Sequence, residues 1–412
     1  MSDAPAPAIE ILEGEKKGGC PVVNFDFNQP LPIHSYHEEL DRLRAMSPIV
    51  WNTYGGGFWM LLNDETVRDA FHAHEVFSSE ATIPTVPDPD WHWIPTMENP
   101  PRHKLYRRVL NAPFSPRAIR DREDQIRQHA INFIEPMVAA GRVNFVDAFA
   151  KEYPTKVFLE ILGLPHEDSA KFVPWVETVF GGLGAEDAEA TTAMADAQAG
   201  IRNYFVDLLA DRRSNPLEED FFTDLSRAKI GDEQISDEEF LNICGVLVLA
   251  GLDTVKSQLG YMMLHLAENP DDRQRIVDDP ELIPVAVEEM VRVYSIVMDG
   301  RKIVQDTEFH GCPMKAGEMA MLTVPSATRD ETKYADPSKV DFSRTDATGH
   351  LAFAAGPHKC LGTHLARREM NIALEEWHRR IPHYRAVDTN LLSETGPQLG
   401  LEDLWLEWDV TR

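Results

Sequence analysis

The spacing of apolar and polar residues along the chain predicts a mainly helical fold with short strands near its two ends. A helical period begins near His37 and dominates from about 116 to 298, with breaks where glycine, proline and asparagine cluster. Apolar, β-branched and aromatic residues on either side of the glycine turn 55–57 predict two short strands, and 301–350 returns to short strands and turns. The pattern therefore predicts an α protein with small β-sheets.

The two ends of the chain differ from its middle. Residues 1–33 are rich in proline, glycine and charge and show no sustained period, which predicts an extended N-terminal arm. Residues 34–412 contain neither an internal repeat nor a long linker, so we expect a single domain there. Within it, a helix is predicted from 361 to 381, followed by a tail that alternates as a strand does.

The longest helical segment opens with a capping-box pattern, Ser236 and Glu239, and ends at Pro270. Its middle is apolar on every face, which is typical of a buried helix. At ~1.5 Å per residue, a continuous helix of this length spans on the order of 48 Å and crosses the whole domain. Its most apolar stretch, 243–252, has half the length that a bilayer requires, so we expect no membrane span.

Three residues with weak helix propensity, Gly251, Asp253 and Thr254, stand in or beside that apolar stretch. Burying an acid and a hydroxyl costs free energy unless they have a use, and the two side by side indicate proton handling. The alternative is a kinked core helix in which Thr254 bonds back to a carbonyl four residues earlier.

Charge and cysteine content narrow the function classes. The 412 residues include 40 Lys and Arg against 68 Asp and Glu, and the net charge of -28 repels nucleic acid and anionic membranes. The N-terminus lacks a basic start followed by an apolar run, so we expect a soluble, cytoplasmic protein. The four cysteines lie far apart without a CxxC pair, which predicts reduced thiols, and Cys20, Cys244 and Cys312 are expected to be inert.

The fourth cysteine, Cys360, has different surroundings, within the stretch FAAGPHKCLG at 353–362. It directly precedes the last predicted helix, and unpaired backbone N–H groups at a helix N-terminus stabilise a thiolate. Gly356 suits a tight turn, and Gly362 allows the helix to approach a flat partner closely. Phe353 would cover the sulfur face of that partner.

This loop resembles the haem-ligand signature of the cytochrome P450 family, F-x-x-G-x-x-x-C-x-G, at each defining position. The segment 250–254 is similar to the family's oxygen-activation motif. The resemblance implies the cytochrome P450 fold, a single triangular-prism-like domain with a long central helix. It implies haem b as the cofactor, Cys360 as the iron ligand, and catalytic roles in which Thr254 orients dioxygen and Asp253 relays protons. Three further residues of the loop would contact the haem: Phe353, Gly356 and Gly362.

Two sets of charged residues extend the resemblance. Glu289 and Arg292 form an E-x-x-R pair, and Arg344 would complete the family's Glu-Arg-Arg network, which we assign to folding. Other pairs with the same spacing, such as that of Glu39 and Arg42, are expected to be solvated surface pairs. Buried haem propionates need cationic or hydrogen-bonding partners. The resemblance assigns that task to four basic residues: His103, Arg107, Arg301 and His358.

Short stretches over nearly the whole chain, among them GGGFW, FSSE, EFHG and HLARRE, are similar to the bacterial camphor hydroxylase subfamily in order and spacing. The resemblance implies hydroxylation of a small hydrophobic substrate, and a terpenoid or norisoprenoid is expected. Trp91 stands where the camphor enzyme holds its ketone with a tyrosine, so camphor itself is not expected. The alternatives are a small aromatic or fatty substrate, or a haem-binding protein without turnover. The predicted substrate pocket consists of Trp91, Trp93, Thr96, Leu249, Ala250, Val297, Asp299 and Gln398.

The acid of the central helix has no evident counter-ion in the sequence. In the camphor enzyme the corresponding acid is tied to basic residues in a region that here, from Phe172 to Ile201, contains no Lys or Arg. We therefore predict a freer Asp253. The Asp-Thr pair also disfavours a peroxide-using or isomerising enzyme, which needs no proton relay for dioxygen.

The chain has neither a phosphate-cradling G-x-G-x-x-G nor a cysteine ladder, so it must borrow electrons. The resemblance implies a [2Fe-2S] ferredoxin that is itself reduced by an NADH-dependent ferredoxin reductase. Arg68, Arg107, Arg108 and Lys359 would form a basic docking patch on an otherwise acidic protein. We expect a monomer that takes O2 and a small hydrophobic substrate.

Overall fold

The computed structural model describes residues 9–184, 187–396 and 398–410, and it confirms a mainly α fold with small sheets. The helices of these residues are α1 (Ser35–Met46), α2 (Asp64–His72), α3 (Arg102–Leu110), α4 (Pro116–Asp121), α5 (Glu123–Ile134), α6 (Glu152–Leu162), α7 (Ser169–Gly182), α8 (Ala188–Ser214), α9 (Phe221–Ser226), α10 (Asp237–Leu252), α11 (Thr254–Glu268), α12 (Pro270–Asp278), α13 (Ile283–Val293), α14 (Val324–Ala327) and α15 (Thr363–Arg380).

The strands are short, as expected. They are β1 (Glu10–Lys17), β2 (Cys20–Asn24), β3 (Leu31–Pro32), β4 (Ile49–Asn52), β5 (Phe58–Leu61), β6 (Phe77–Ser78), β7 (Arg142–Asn144), β8 (Lys229–Ile230), β9 (Glu233–Gln234), β10 (Met298–Ile303), β11 (Thr307–Phe309), β12 (Cys312–Met314), β13 (Met319–Thr323), β14 (Arg385–Val387), β15 (Ser393–Thr395), β16 (Gly400–Leu401) and β17 (Trp405–Glu407). The largest sheet has seven strands in the order β1-β2-β4-β5-β13-β10-β6.

The extended arm expected over 1–33 is, from residue 9 onward, part of the folded sheet and core. Strands β1 and β2 form an antiparallel hairpin, and β2 pairs in parallel with β4, which makes the hairpin the edge of the large sheet. Ile9, Phe25 and Phe27 are buried in the core beside it. The hydrophobic pattern does not predict β1, because the residues of this strand are mostly exposed and charged and its pairing register shifts between Ile11 and Lys16.

The expectation of four reduced cysteines is also wrong. Cys20 at the start of β2 and Cys312 at the start of β12 form a disulfide, with 6.1 Å between their Cα atoms and a separation of 292 positions in the chain. The two cysteines meet only because the hairpin packs against β12, so their spacing in the sequence does not predict the disulfide. Cys244 is free and fully buried, and burial raises the pKa of its thiol well above the usual range.

The central helix is broken at Asp253, where the sequence predicted a continuous helix. Its start is as predicted, since Ser236 and Glu239 form a capping box. The hydroxyl of Thr254 donates a hydrogen bond to the carbonyl oxygen of Ala250 at 3.1 Å, a contact that bends helices. The helix is therefore kinked, with the back-bonded threonine that the alternative describes, and the acid lies at the junction of α10 and α11.

The kinked pair of helices is long and apolar enough to cross a membrane by length and composition alone. In its most apolar window, however, 67% of the residues are buried inside the fold. Gly251 is needed for this burial, because a Cβ there would lie 2.4 Å from the ring of Phe158 on α6. The segment 237–268 is therefore packed as a core helix.

The predicted Glu-Arg-Arg network is confirmed. Arg292 donates two hydrogen bonds to the carboxylate of Glu289, at 2.8 and 2.7 Å, and Arg344 donates a third at 3.0 Å. Arg292 also donates to the carbonyl oxygens of Thr328 and Pro337. Because the side chains of Glu289 and Arg292 are fully buried, this network ties α13 to the irregular segment that leads to the cysteine loop.

We predict that Glu289→Gln lowers the free energy of unfolding by about 3–5 kcal/mol, because it leaves the fully buried guanidinium group of Arg292 without its counter-ion. Glu39→Gln is the matched control, since Glu39 and Arg42 have the same spacing but lie at the surface, and a loss below about 1 kcal/mol is expected there. Urea unfolding of both variants measures the difference. Equal losses would contradict the structural role of the network.

Candidate active site

The loop that carries Cys360 is held against α2 by its backbone. The amide of Cys360 donates to the carbonyl oxygen of Phe353 at 2.9 Å, which closes the loop. Gly356 has a φ of +64°, and a Cβ there would lie 2.7 Å from the carbonyl oxygen of Phe71. Only glycine fits this position, so the prediction of a tight turn at Gly356 is confirmed. The hydroxyl of Thr363 donates to the carbonyl oxygen of Cys360 at 2.7 Å and fixes the start of α15.

Opposing effects act on the thiol of Cys360. Burial raises the pKa of Cys360, while the backbone N–H of Gly362, the hydroxyl of Thr363 and the charges of Arg107 and Arg367 lower it. The side chain lies deep among protein atoms and is nevertheless exposed, so its sulfur borders open space. A metal cation at that sulfur would add the missing stabilisation of the thiolate.

The four basic residues predicted to hold propionates meet beside this loop. The imidazole rings of His103 and His358 lie 4.3 Å apart, and Arg107 donates to the carbonyl oxygen of Lys359 at 2.9 Å. Burial and the charges of Arg301, His103 and Arg107 lower the pKa of His358 to about 2. Burial and the charge of Arg107 lower the pKa of His103 to about 4. Both imidazoles are therefore neutral at physiological pH.

This basic cluster fits a dianionic ligand. Arg301 is 2% exposed, and its carboxylate partner among the described residues is Asp299, at 2.6 Å. Burial lowers the pKa of Arg107, and Nδ1 of His103 is buried without a hydrogen-bond partner. Gathering such groups is costly unless an anion compensates them. A thiol for iron and four nitrogen bases for two propionates match the requirements of haem.

The prediction that Asp253 is a freer acid is wrong. Nζ of Lys256 lies 2.5 Å from one carboxylate oxygen of Asp253, and the side-chain amide of Gln398 donates to the other. The hydroxyl of Ser257 approaches that second oxygen at 3.4 Å. Lys256 and Gln398 both lie outside the region 172–201, whose lack of Lys and Arg was the basis of the prediction. Sequence reasoning could have found this partner, because Lys256 lies three residues after Asp253 in an apolar helix, where a buried cation needs a counter-ion.

The predicted pocket residues lie on four segments of the chain, which are the loop 91–96, α10, residues 297–299 at the start of β10, and Gln398. The rings of Trp91 and Trp93 lie 5.6 Å apart between centroids, tilted by 33°, and pack against the core that includes Leu249. Val297 forms an isolated bridge with Gln398. Nε1 of Trp91 is buried without a hydrogen-bond partner. Three of the predicted pocket residues are engaged elsewhere, because Gln398 binds Asp253, Asp299 binds Arg301, and the carbonyl of Ala250 accepts from Thr254. Thr96 is partly buried.

The predicted docking patch is narrower than the sequence indicated. Arg68 donates two hydrogen bonds to Asp64, at 2.9 Å each, so its charge is compensated. Arg107 is partly buried and points to the cysteine loop. Arg108 and Lys359 are exposed. Ser79 is a site residue that sequence reasoning missed, because its hydroxyl meets Nε2 of His358 at 3.0 Å only in the folded chain.

Comparisons with known proteins agree with this geometry. A model of the family described as Cytochrome P450 matches residues 33–380. The "Probable cytochrome P450 127A1" of Sinorhizobium fredii is 33% identical over 358 residues, which cover 86% of this chain and 84% of the relative. The "Methyl-branched lipid omega-hydroxylase" of Mycobacterium tuberculosis is 31% identical over 373 residues, 85% of this chain and 86% of the relative. The crystal structure of CYP101J2 is similar with a TM-score of 0.86 at 29% identity, covering 96% of this chain and 100% of that one.

Proposed function

This chain belongs to the cytochrome P450 family, and on that premise we propose that it hydroxylates a small hydrophobic terpenoid or norisoprenoid. It is a haem-thiolate monooxygenase, as its relatives named hydroxylases are. The observation that supports the site is the exposed residue Cys360 beside four basic side chains, of which His103 and Arg301 are buried. We also propose that residues 34–412, together with the N-terminal hairpin that pairs with their sheet, form one haem-binding domain, and that the protein is a soluble, cytoplasmic monomer that binds no nucleic acid.

The residues around Cys360 have separate roles in holding the haem. When bound, haem b supplies the iron centre at which dioxygen is activated. Cys360 would hold the iron, and His103, Arg107, Arg301 and His358 would hold the propionates. Phe353, Gly356 and Gly362 would shape the loop around the sulfur. Such a clamp fixes the cofactor and compensates the buried basic cluster at once.

Asp253 and Thr254 are the proposed proton-handling pair. The hydroxyl of Thr254 donates to the carbonyl oxygen of Ala250, so its own oxygen is free to accept a hydrogen bond at the kink. Asp253 is the adjacent residue and is 14% exposed at its side chain, which gives it contact with solvent. The pair could therefore pass protons from solvent to the site through the broken turn of the helix.

Trp91 supports a substrate with one hydrogen-bond acceptor. Its indole N–H is buried and unpartnered, while its ring and that of Trp93 belong to an apolar wall. A carbonyl oxygen on a hydrocarbon skeleton would satisfy both features. The similarity to a relative named for methyl-branched lipids favours, as a second candidate, an aliphatic substrate without that contact.

We predict that carbon monoxide gives the reduced protein the absorbance band of a thiolate-ligated haem. Cys360→Ser should lose this band and the hydroxylation of any substrate, because an alcohol is a far weaker iron ligand than a thiolate. Cys244→Ala is the control, since Cys244 is a free cysteine in the core. A Cys360→Ser protein that keeps the band would refute the assignment.

We predict that Trp91→Phe weakens the binding of a terpenoid ketone roughly 5-fold, because one hydrogen bond is lost. The corresponding hydrocarbon without the carbonyl should bind the variant and the unmodified protein alike. Titrations that follow the substrate-induced spin shift measure both, and Trp93→Phe is the control. An equal loss for ketone and hydrocarbon would favour a purely apolar role for Trp91.

We propose that a [2Fe-2S] ferredoxin, reduced by an NADH-dependent ferredoxin reductase, docks at Arg108 and Lys359. Arg108→Gln and Lys359→Gln should each raise the ferredoxin concentration needed for half-maximal NADH oxidation several-fold at low salt, because each removes one charge from the docking patch. Lys171→Gln is the control, since it lies exposed on α7. If the ferredoxin dependence is unchanged in both variants, docking at Arg108 and Lys359 is refuted.

A further inference from the structure

A buried serine lies against one histidine of the basic cluster, and the proposed haem clamp does not use it. We propose that Ser79 is a positioning residue that donates its hydroxyl proton to Nε2 of His358 and so keeps the ring proton on Nδ1, as a donor for a carboxylate of the ligand. This inference rests on the proposed function, because it takes that ligand to be haem with its two propionates. It adds to that function the group that decides how His358 binds the ligand.

The contact between the two side chains carries the first step. Ser79 is fully buried, and its Oγ lies 3.0 Å from Nε2 of His358. Among the described residues, Nε2 is the only hydrogen-bond partner of this hydroxyl. A hydroxyl has one proton to donate, and a buried donor without an acceptor is costly. Nε2 is therefore the unprotonated nitrogen of the ring.

This contact decides the protonation of the whole ring. A neutral imidazole carries one proton, which then lies on Nδ1. The charged ring is excluded by the same contact, because it also carries a proton on Nε2 and would leave the serine hydroxyl without an acceptor. His358 is only partly buried, and its Nδ1 has no hydrogen-bond partner among the described residues. The N–H group at Nδ1 is therefore available to a ligand.

The position of the serine is fixed from two sides. Its backbone N–H donates to the side-chain oxygen of Asn99 at 3.1 Å, and the amide group of Asn99 donates to the hydroxyl of Ser78 at 2.7 Å. An ionised carboxylate in place of the amide has no proton to donate. Ser78 also pairs with Lys302 across β6 and β10, next to Arg301. The sheet and the segment before α3 therefore hold Ser79 independently of the cysteine loop.

The tautomer decides whether His358 attracts or repels an anion. A protonated Nδ1 donates a hydrogen bond to a carboxylate placed at that atom, whereas an unprotonated Nδ1 directs its lone pair at it. Arg107 and Arg301 always carry donors, so only the histidines of the cluster depend on such a choice. Ser79 makes this choice before the ligand arrives, and no proton has to move when the ligand binds.

His103 provides a contrast within the same cluster. Its ring lies 4.3 Å from that of His358, but its Nδ1 is buried without a hydrogen-bond partner. In the part of the chain that the structure describes, no side chain fixes the proton of His103 as Ser79 fixes that of His358. The inference therefore applies to one histidine, and removal of the serine hydroxyl should leave the other unchanged.

The ring nitrogens of His358 test the assignment directly. Protonated and unprotonated imidazole nitrogens differ widely in 15N chemical shift, and the reduced, carbon monoxide-bound holoprotein is diamagnetic. With 15N-labelled histidine, and with His358 assigned by comparison with His358→Phe, we expect a protonated Nδ1 and an unprotonated Nε2. In Ser79→Ala the Nε2 signal should move, because its hydrogen bond is lost, whereas the signals of His103 should stay in place. A proton on Nε2 of the unmodified protein, or an Nε2 signal unchanged in Ser79→Ala, would overturn the proposal.

The rate of haem transfer to excess apomyoglobin tests what the serine does for the ligand. Ser79→Ala should release haem roughly 5-fold faster, because the hydrogen bond that supports His358 is lost. Ser79→Thr should restore most of this loss, because it keeps the hydroxyl. Ser295→Ala is the matched control, since Ser295 is also buried but its hydroxyl bonds to Thr328, and its release rate should be unchanged. Release from Ser79→Ala at the unmodified rate would contradict the role of the serine.

A double-mutant cycle separates this role from packing. In the His358→Phe protein the acceptor of the hydroxyl is gone, so Ser79→Ala should change the release rate no further. An equal effect of Ser79→Ala in both backgrounds would mean that Ser79 acts on the fold and not through His358, and it would overturn the proposal. His358→Leu serves as the second variant should His358→Phe fail to fold.

Failure of this inference and failure of the proposed function are distinguishable. Absence of the thiolate band with carbon monoxide in the unmodified protein would refute the proposed function, while the 15N shifts of His358 would still report the position of its proton. A normal band with a proton on Nε2, or with equal effects of Ser79→Ala in both backgrounds, would refute the role of Ser79 and leave the proposed function intact.

Discussion

The constraint on which this structure depends is the convergence of basic side chains on the loop that carries one cysteine. Two arginines and two histidines, three of them from segments far from Cys360 in the chain, converge on the loop between Phe353 and Gly362. Proteins avoid burying such groups unless a ligand compensates them. The sheet that presents Arg301, the helix that presents His103 and Arg107, and the loop that presents His358 are therefore parts of one electrostatic arrangement.

A second arrangement, of opposite character, lies across the central helix. There the acid Asp253 is already neutralised by Lys256 and held by Gln398. The site thus combines a basic cluster that would bind an anion with an acid whose counter-ion, Lys256, belongs to the same chain.

The sequence predicted those parts of the molecule that depend on local spacing. The capping box at Ser236 and Glu239, the last helix and the tight turn at Gly356 follow from residues within one or two turns of each other. The Glu289–Arg292–Arg344 network was found because a family resemblance supplied the distant member. The pairing of Cys20 with Cys312 and the seating of the N-terminal hairpin depend on strands that meet only in the folded chain. Gln398 and Asp253 are 145 positions apart in the chain, so no local sequence pattern predicts their contact.

The disulfide between Cys20 and Cys312 divides the chain into a covalent ring and a linear tail. His103, Arg107 and Arg301 belong to the ring, whereas His358 and the thiol of Cys360 belong to the tail, which also carries Gln398. A molecule that binds all of these groups would join the two topological parts without any bond of the main chain. The cofactor would then link the two parts at this site, in addition to the pairing of β13 within the large sheet and the packing of α15 in the core.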